Sequence, residues 1–159
     1  MSQSLPDYLQ QNRERQLEGL KDLLRIPSIS ALPDHKSDVR RAADFLCSEL
    51  TRIGINNVKT IEGEGHPIVY GEWLDAPDKP TLILYGHYDV QPPDPLDEWE
   101  SEPFEPTERN DNLYARGAVD DKGHMIHLHL CFLRRMPVNL SHVPNTSSTR
   151  FSSVASFGK

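Results

Sequence analysis

The order in which two hydrophobic periods follow each other along the chain is the feature that most limits its fold. A helical period comes first: from Pro6 to Ile26 apolar residues recur three or four positions apart, and Pro27 is a stop signal. A second helix is predicted to begin at Ser37, which can cap its first turn, and to end at Gly54. The residues predicted to be buried are Leu17, Leu20, Leu23 and Leu24 in the first helix, and Val39, Ala42, Ala43, Leu46, Leu50 and Ile53 in the second.

The period then changes to that of short strands. Three runs rich in Val, Ile, Leu and Tyr are separated by Gly, Pro and Asp, and they cover residues 57–61, 67–73 and 81–85. The last run is apolar at almost every position, which predicts a strand covered on both faces of an α/β sheet. Helices that precede strands in this way predict a layered α/β fold, helix on sheet on helix.

The remainder of the chain is predicted to contain few regular elements. Residues 94–112 are polar and contain several prolines, which predicts a long loop, and residues 113–116 form a short strand. Residues 122–135 are apolar around most of a helical circumference, which predicts a buried helix. From Pro137 to Lys159 the chain is Ser-rich and has no period, so we expect a disordered tail.

Composition limits the class of protein and its partners. The 159 residues suffice for one core, and 36% hydrophobic with 26% charged residues suits a soluble globular protein. No apolar run approaches the roughly 20 residues of a membrane span, and residues 1–10 do not resemble a signal peptide. We therefore expect a cytoplasmic protein without a membrane partner. Cys47 and Cys131 lie in apolar helical patterns and are interpreted as buried thiols.

Charge is distributed unevenly along the chain. All 24 acidic residues lie at or before Asp121, together with 12 of the 17 Lys and Arg residues, and the other five basic residues follow it. The formal charge is therefore about −12 up to Asp121 and about +5 after it. The net charge of −7 and the lack of a basic stripe with aromatic residues argue against a nucleic-acid partner.

Two polar turns follow predicted strands. His87 and Asp89 come directly after the run 81–85, at the strand end where α/β sheets build ligand sites. Residues two apart on an extended chain share a face, so the Asp89 carboxylate can orient the His87 imidazole while its other nitrogen binds a metal. Farther along, Asp120 and Asp121 precede Lys122 and Gly123, and a carboxylate there could bridge two divalent ions or could simply cap the next helix.

Taken together, these motifs resemble the M20 metallopeptidases, specifically their dipeptidase-like branch. The matching runs are Tyr-Gly-His-Tyr-Asp-Val-Gln-Pro at 85–92, Trp99 with Pro-Phe-Glu-Pro at 103–106, and Leu-Tyr-Ala-Arg-Gly-Ala-Val-Asp-Asp-Lys-Gly at 113–123. They occur in the family's order, and the resemblance extends from about Asp7 to Gly123. It implies that residues 1–136 are the amino-terminal part of a zinc-peptidase-like catalytic domain, without the lid and dimerisation domain.

The resemblance also implies roles for individual residues. His87 becomes a ligand of one metal, Asp120 a bridge between two metals, and Asp89 the acid that orients His87. The peptide bond after the bridging aspartate is typically cis in this family, which predicts a cis Asp120–Asp121 bond. The implied cofactor is a pair of Zn²⁺ ions, with Co²⁺ or Mn²⁺ as alternatives. The implied substrates are small peptides, with N-acyl amino acids as the alternative, and the implied parent enzyme is a homodimer.

The sequence departs from the family's pattern after Gly123. The family completes its site with a Glu-Glu pair, a further acid and a distant His, and no Asp or Glu follows Asp121 here. We therefore expect a truncated or frame-shifted product that is inactive alone and marginally stable, because a parallel sheet cut short exposes an edge and a face. The alternative is a non-catalytic metal-binding fragment. His124, His127 and His129 could capture a metal beside Asp120, although partly buried helix positions are the interpretation that we favour.

Overall fold

The computed structural model describes residues 5–126 and 150–155. It begins with two α-helices, α1 (Leu5–Leu24) and α2 (Lys36–Arg52), and a short 3-10 helix at Pro33–His35 leads into α2. Both predicted helices are therefore confirmed. Gly54 follows α2 with a φ of 82°, a left-handed conformation that glycine adopts readily at a helix end.

The start of α2 differs from the prediction. His35 occupies the cap position and makes no side-chain cap hydrogen bond, so Ser37 lies inside the first turn. The reason is that the 3-10 helix runs directly into α2, so the chain is already helical when it reaches Ser37.

Four strands form the main sheet, and two short strands form a separate hairpin. The strands of the sheet are β1 (Asn56–Ile61), β2 (Ile68–Trp73), β3 (Thr81–Gly86) and β6 (Arg150–Ala155), in the order β1-β2-β6-β3. The hairpin joins β4 (Thr107–Arg109) to β5 (Asn112–Tyr114). Only the β3–β6 pair is parallel among these pairings, so the sheet is mixed instead of parallel as we expected. The predicted α/β class is confirmed.

The hydrophobic core lies between α2 and the β1–β2 part of the sheet. The predicted buried face of α2 is confirmed, because Val39, Ala42, Ala43, Leu46 and Leu50 are all buried. Leu23 of α1 and two side chains from helical residues 122–126, Met125 and Ile126, join this core. The core therefore connects the helical layer to the segment that follows the second polar turn.

The predicted burial of β3 is wrong. Leu82, Ile83 and Tyr85 are 43%, 66% and 57% exposed. The physical reason is that α2 packs against β1 and β2, at the other end of the sheet. Apolar side chains on both faces of β3 are thus exposed in the part of the chain that the structure describes.

The structure also differs from the expected loop and tail. Residues 94–112, expected to be irregular, contain a 3-10 helix at Leu96–Glu98 and the strand β4. Residues 150–155, expected to be disordered, form β6, which pairs with β2 on one side and β3 on the other. Such pairing satisfies backbone groups of two strands at once, and the local Ser-rich pattern does not reveal it. The remainder of the predicted tail and residues 127–135 of the predicted helix lie outside the described residues.

Two further features bear on the sequence expectations. Cys47 is a free thiol that is half-buried, and burial raises its pKa; Cys131 lies outside the described residues. Over residues 5–126 and 150–155, no helix is long and apolar enough to cross a membrane.

Candidate metal centre

The structure brings the two polar turns together. His87 follows directly after Gly86, the last residue of β3, and Asp120 lies in the turn before helical residues 122–126. The His87 Nε2 atom is 3.0 Å from the Asp120 Oδ1 atom, although the two residues are 33 positions apart in sequence. The pair predicted to bind metal is therefore a close pair in the folded chain.

Asp89 lies beneath His87, on the side away from Asp120. Its carboxylate is buried, and Oδ1 is 3.2 Å from His87 Nδ1. That contact has the distance of an ion pair but lacks the direction of a hydrogen bond, and Oδ1 has no hydrogen-bond partner. The Asp89 backbone oxygen, 3.1 Å away, is positioned to accept the Nδ1 hydrogen bond instead. Asp89 thus contacts the imidazole through both its main chain and its carboxylate.

Alternation along the extended chain explains why His87 and Asp89 meet. Tyr88, which stands between them, is fully buried in the core on the opposite face. Its hydroxyl donates a hydrogen bond to the Pro67 carbonyl oxygen, and burial raises the Tyr88 pKa. Because Tyr88 faces the core, His87 and Asp89 lie together on the opposite face of this segment.

The protonation of His87 depends on opposing effects. Burial lowers its pKa, whereas the hydrogen bonds to Asp120 and to the Asp89 backbone and the charges of both carboxylates raise it. The result is a pKa above the usual histidine value. The raised pKa favours the protonated ring, so a proton would compete with a metal ion for His87.

Asp120 is placed so that its side chain can adjust. Its side chain is 86% exposed, and it lines an open cavity of about 890 Å³ together with His87 and Asp89. The Asp120–Asp121 peptide bond is cis, which confirms the expectation from the family resemblance. Trp99 and Arg116 line the same cavity, where the Arg116 guanidinium lies 5.4 Å from the centre of the Trp99 ring.

The donor geometry suits a shared ion. Two donors bound to one tetrahedral zinc ion at about 2.0–2.1 Å lie roughly 3.3 Å apart. The 3.0 Å between His87 Nε2 and Asp120 Oδ1 is close to that separation, and the exposed Asp120 side chain can rotate slightly. Among residues 5–126 and 150–155, however, no group of three or more His, Cys, Asp or Glu side chains is arranged to hold a metal. The residues present fit part of a metal site.

Three residues of this region were not singled out for the site from the sequence. Asp121 Oδ2 accepts a hydrogen bond from the His87 backbone N–H at 3.0 Å, and Ser30 Oγ donates to Asp89 Oδ2 at 2.5 Å. Lys122 is fully buried and donates to the backbone oxygens of Leu23 and Ile26, at 3.0 and 2.6 Å. Burial lowers the pKa of Lys122 to about 7.

Of the three histidines that could form an alternative metal site, His124 lies within the described residues. His124 Nδ1 lies 2.7 Å from Asp121 Oδ1 and 66% of its side chain is exposed, so its ring contacts the neighbouring carboxylate, with no contact to Asp120 among the described interactions. His127 and His129 lie outside the described residues.

Comparison with known proteins places both turns within one family model. Residues 83–142 match the model for peptidase family M20/M25/M40. That match includes His87, Asp89 and Asp120 and therefore covers the whole candidate centre.

Individual relatives and a solved structure extend the similarity over most of the chain. The Cys-Gly metallodipeptidase DUG1 of Candida albicans is 32% identical across 87% of this chain and 33% of its own length. The succinyl-diaminopimelate desuccinylase of Bordetella pertussis is 36% identical across 67% of this chain and 26% of its own length. The crystal structure of human carnosine dipeptidase 1 matches with a TM-score of 0.79 at 25% identity, covering 93% of this chain and 32% of that chain.

These matches cover only part of each relative. The chain spans between a quarter and a third of the length of the relatives it matches. Within that span this chain is similar to the model of peptidase family M20/M25/M40, to a metallodipeptidase and a desuccinylase, and to a solved dipeptidase structure.

Proposed function

We propose that His87 and Asp120 are ligands in a divalent-metal centre that serves the hydrolysis of peptide or related amide bonds. The observation that carries this proposal is the 3.0 Å approach of His87 Nε2 to Asp120 Oδ1 at the wall of an open cavity. The match to peptidase family M20/M25/M40 supports it, because a hydrolytic metal site can combine a histidine ligand with a carboxylate that bridges two ions.

The residues of this chain have distinct tasks in that centre. His87 offers Nε2 as a donor, while the Asp89 backbone oxygen and carboxylate hold the Nδ1 side of the ring. Asp120 would supply its carboxylate as the ligand that holds the ions together. When bound, a pair of divalent ions polarises the substrate carbonyl and lowers the pKa of a water. Zinc is the metal that we favour, with Co²⁺ or Mn²⁺ as alternatives.

The 159 residues alone lack the remaining acids that such a reaction requires. No Asp or Glu follows Asp121 in the sequence, and the carboxylates of the centre before that point are Asp89, Asp120 and Asp121. Asp89 and Asp121 are each engaged by neighbouring groups through Ser30 Oγ and the His87 N–H. We infer that this chain binds metal weakly and does not hydrolyse substrate by itself.

Two substrate classes are supported to different degrees. Dipeptides are the first candidate, because the relative DUG1 is a Cys-Gly dipeptidase and carnosine dipeptidase 1 has a similar fold. N-acyl amino acids are the second candidate, because the desuccinylase relative is similar at a comparable identity. Both reactions cleave an amide bond, so they require the same polarisation of a carbonyl and activation of a water.

Zinc titration of the purified chain tests the metal centre. We expect weak binding, because His87 and Asp120 are two ligands where a closed structural site has four. His87→Ala should abolish this binding, whereas His35→Ala should retain it, because the His35 ring is paired with Asp38 on α2. Equal zinc binding by the wild type and His87→Ala would contradict the proposal, and tight binding of two ions would show that further ligands exist.

A hydrolysis assay separates the inactive chain from a competent enzyme. The chain is incubated with Zn²⁺ or Co²⁺ and either Cys-Gly or an N-succinyl amino acid, and free amine is measured. We expect no turnover of either substrate. Metal-dependent turnover that disappears in His87→Ala would show that this chain completes its own active site.

A further inference from the structure

Ser30 connects the segment after α1 to the candidate metal centre. Its Oγ atom donates a hydrogen bond to Asp89 Oδ2 at 2.5 Å, across 59 positions of sequence. The acceptor carboxylate is buried, with 6% of the residue exposed. A hydroxyl–carboxylate hydrogen bond of this kind is charge-assisted and stronger than a bond between two neutral groups.

The bond divides the two oxygens of Asp89 between two neighbours. Oδ2 is occupied by Ser30, and Oδ1 is directed to within 3.2 Å of His87 Nδ1. Because a carboxylate can rotate about its terminal torsion with little cost, a donor on Oδ2 restricts which oxygen faces the imidazole. Ser30 therefore limits the orientation of Asp89, and Asp89 contacts the ring that carries the donor Nε2.

The backbone around Ser30 is itself held in place. The Ser30 carbonyl oxygen lies 3.1 Å from His66 Nε2, and the preceding Ile29 forms a parallel β-bridge with Val90. Ser28, one position earlier, accepts a hydrogen bond from the Val90 N–H at 3.0 Å and donates its own hydroxyl to the Tyr88 oxygen at 2.7 Å. These contacts involve Tyr88 and Val90, the residues on either side of Asp89, so they hold the backbone around Ser30 against the Asp89 segment.

The same segment is tied to the second polar turn. Lys122 Nζ donates to the Ile26 and Leu23 backbone oxygens, and Lys122 is two residues past Asp120. The segment between Leu23 and Ser30 is thus in contact with the turn of His87 at one end and with the turn of Asp120 at the other. It is a common support for the two predicted ligands.

We propose that Ser30 is a positioning residue, which holds the Asp89 carboxylate so that Asp89 orients His87 for metal binding. The inference rests on the proposed function, because it assigns Ser30 to the metal centre described above. A purely structural hydroxyl would stabilise the fold without selecting the protonated nitrogen of His87. A positioning hydroxyl changes both the tautomer of His87 and the affinity for metal.

The experiment compares Ser30→Ala with Ser30→Thr and with Ser48→Ala in the full chain. Ser30→Ala removes the donor, and Ser30→Thr retains a hydroxyl. Ser48→Ala makes the same chemical change at an exposed site on α2, where the hydroxyl bonds to the Asp44 oxygen. The first readout is the ¹⁵N NMR shift of the two His87 ring nitrogens in metal-free protein at a pH where the ring is neutral. The second readout is the dissociation constant for Zn²⁺ by calorimetry.

We expect Ser30→Ala to lower the fraction of His87 that is protonated on Nδ1 and to weaken Zn²⁺ binding by about tenfold, at the lower end of the loss seen when an outer partner of a metal ligand is removed. Ser30→Thr should restore both readouts toward the wild type, and Ser48→Ala should leave both unchanged. Ring-nitrogen shifts in Ser30→Ala that equal those of the wild type would overturn the inference.

The two readouts distinguish this inference from the proposed function. If the wild type does not bind Zn²⁺, the proposed metal centre fails, and the NMR comparison still decides whether Ser30 orients Asp89 and His87. If the wild type binds Zn²⁺ and Ser30→Ala binds it equally well with an unchanged tautomer, the metal centre stands and the role of Ser30 is refuted.

Discussion

Asp121 Oδ2 accepts a hydrogen bond from the His87 backbone N–H at 3.0 Å, and this bond joins the turn after β3 to the turn before helical residues 122–126. The Asp121 side chain is largely buried, with 16% exposed, and its other oxygen contacts the His124 ring. The carboxylate next to the predicted ligand Asp120 thus has a structural task of its own. It fixes the distance between the two turns.

Substitution of Asp121 measures the strength of that connection. Asp121→Ala leaves the His87 N–H without its acceptor and should lower the free energy of unfolding by about 1–3 kcal/mol. Asp121→Asn retains an amide oxygen at the same position and should cost less. Urea unfolding followed by circular dichroism provides both values. Equal stability of the wild type and Asp121→Ala would show that the bond contributes nothing.

The pH dependence of His87 is a second prediction. Burial lowers its pKa, but the hydrogen bond to Asp120 and the other contacts raise it by more, so its folded pKa is the higher one. Its contribution to stability is therefore present at pH values below the usual histidine pKa and is lost as the pH rises through the folded pKa. NMR titration of metal-free protein should show a lower His87 midpoint in Asp120→Asn than in the wild type. Asp44→Asn, which removes an exposed carboxylate on α2, serves as the control.

The same protonation should control metal affinity. A zinc ion needs Nε2 without its proton, so apparent affinity should fall by about tenfold per pH unit once the pH is well below the His87 pKa. Calorimetric zinc titrations across this pH range measure the slope. An affinity that is independent of pH there would mean that His87 is not a ligand.

Gly123 tests how tightly the second turn is packed. A Cβ atom at this position would lie 2.1 Å from the Ala118 backbone oxygen, so the main chain must move to accept it. Gly123→Ala should therefore destabilise the fold by about 1–3 kcal/mol. Gly19 in α1 has no atom within 4 Å of an added Cβ, so Gly19→Ala should stabilise by about 0.5–1 kcal/mol. Changes of opposite sign in the free energy of unfolding, measured with urea, would support this explanation, and equal changes in the two variants would contradict it.

The exposed face of β3 predicts self-association. Ile83 is 66% exposed, and Tyr85, two positions farther along the same strand and therefore on the same face, is 57% exposed, so the two form an apolar surface on the sheet. Ile83→Lys should raise the monomer fraction in sedimentation velocity. Leu96→Lys, at a position 61% exposed but outside the sheet, should change it little. A wild-type chain that is monomeric and melts reversibly would refute the expected tendency to aggregate.

The local pattern of apolar residues was sufficient to predict the helices and most of the strands. The spacing of Leu46 and its apolar neighbours predicted the buried face of α2, because a period of 3.6 residues places them on one side. Alternation around Tyr88 similarly predicted that His87 and Asp89 share a face. These features depend on residues within a few positions of one another, and an amino-acid sequence records such relationships directly.

Contacts between distant segments could not be predicted from the local pattern. Ser30 and Asp89 are 59 positions apart, and Lys122 lies 96 positions from Ile26, so no local period links them. Strand β6 was missed for the same reason, since its partners β2 and β3 supply the hydrogen bonds that its own Ser-rich pattern does not predict.

The sequence by itself determined the α/β class, the two helices and the candidate metal-site residues His87, Asp89 and Asp120, because each follows from a local pattern or a short motif. Only the tertiary structure decided that His87 and Asp120 approach to 3.0 Å, that Ser30 donates a hydrogen bond to Asp89, and that apolar residues of β3 are exposed. Packing of distant segments sets these distances and exposures, and it depends on the whole core at once.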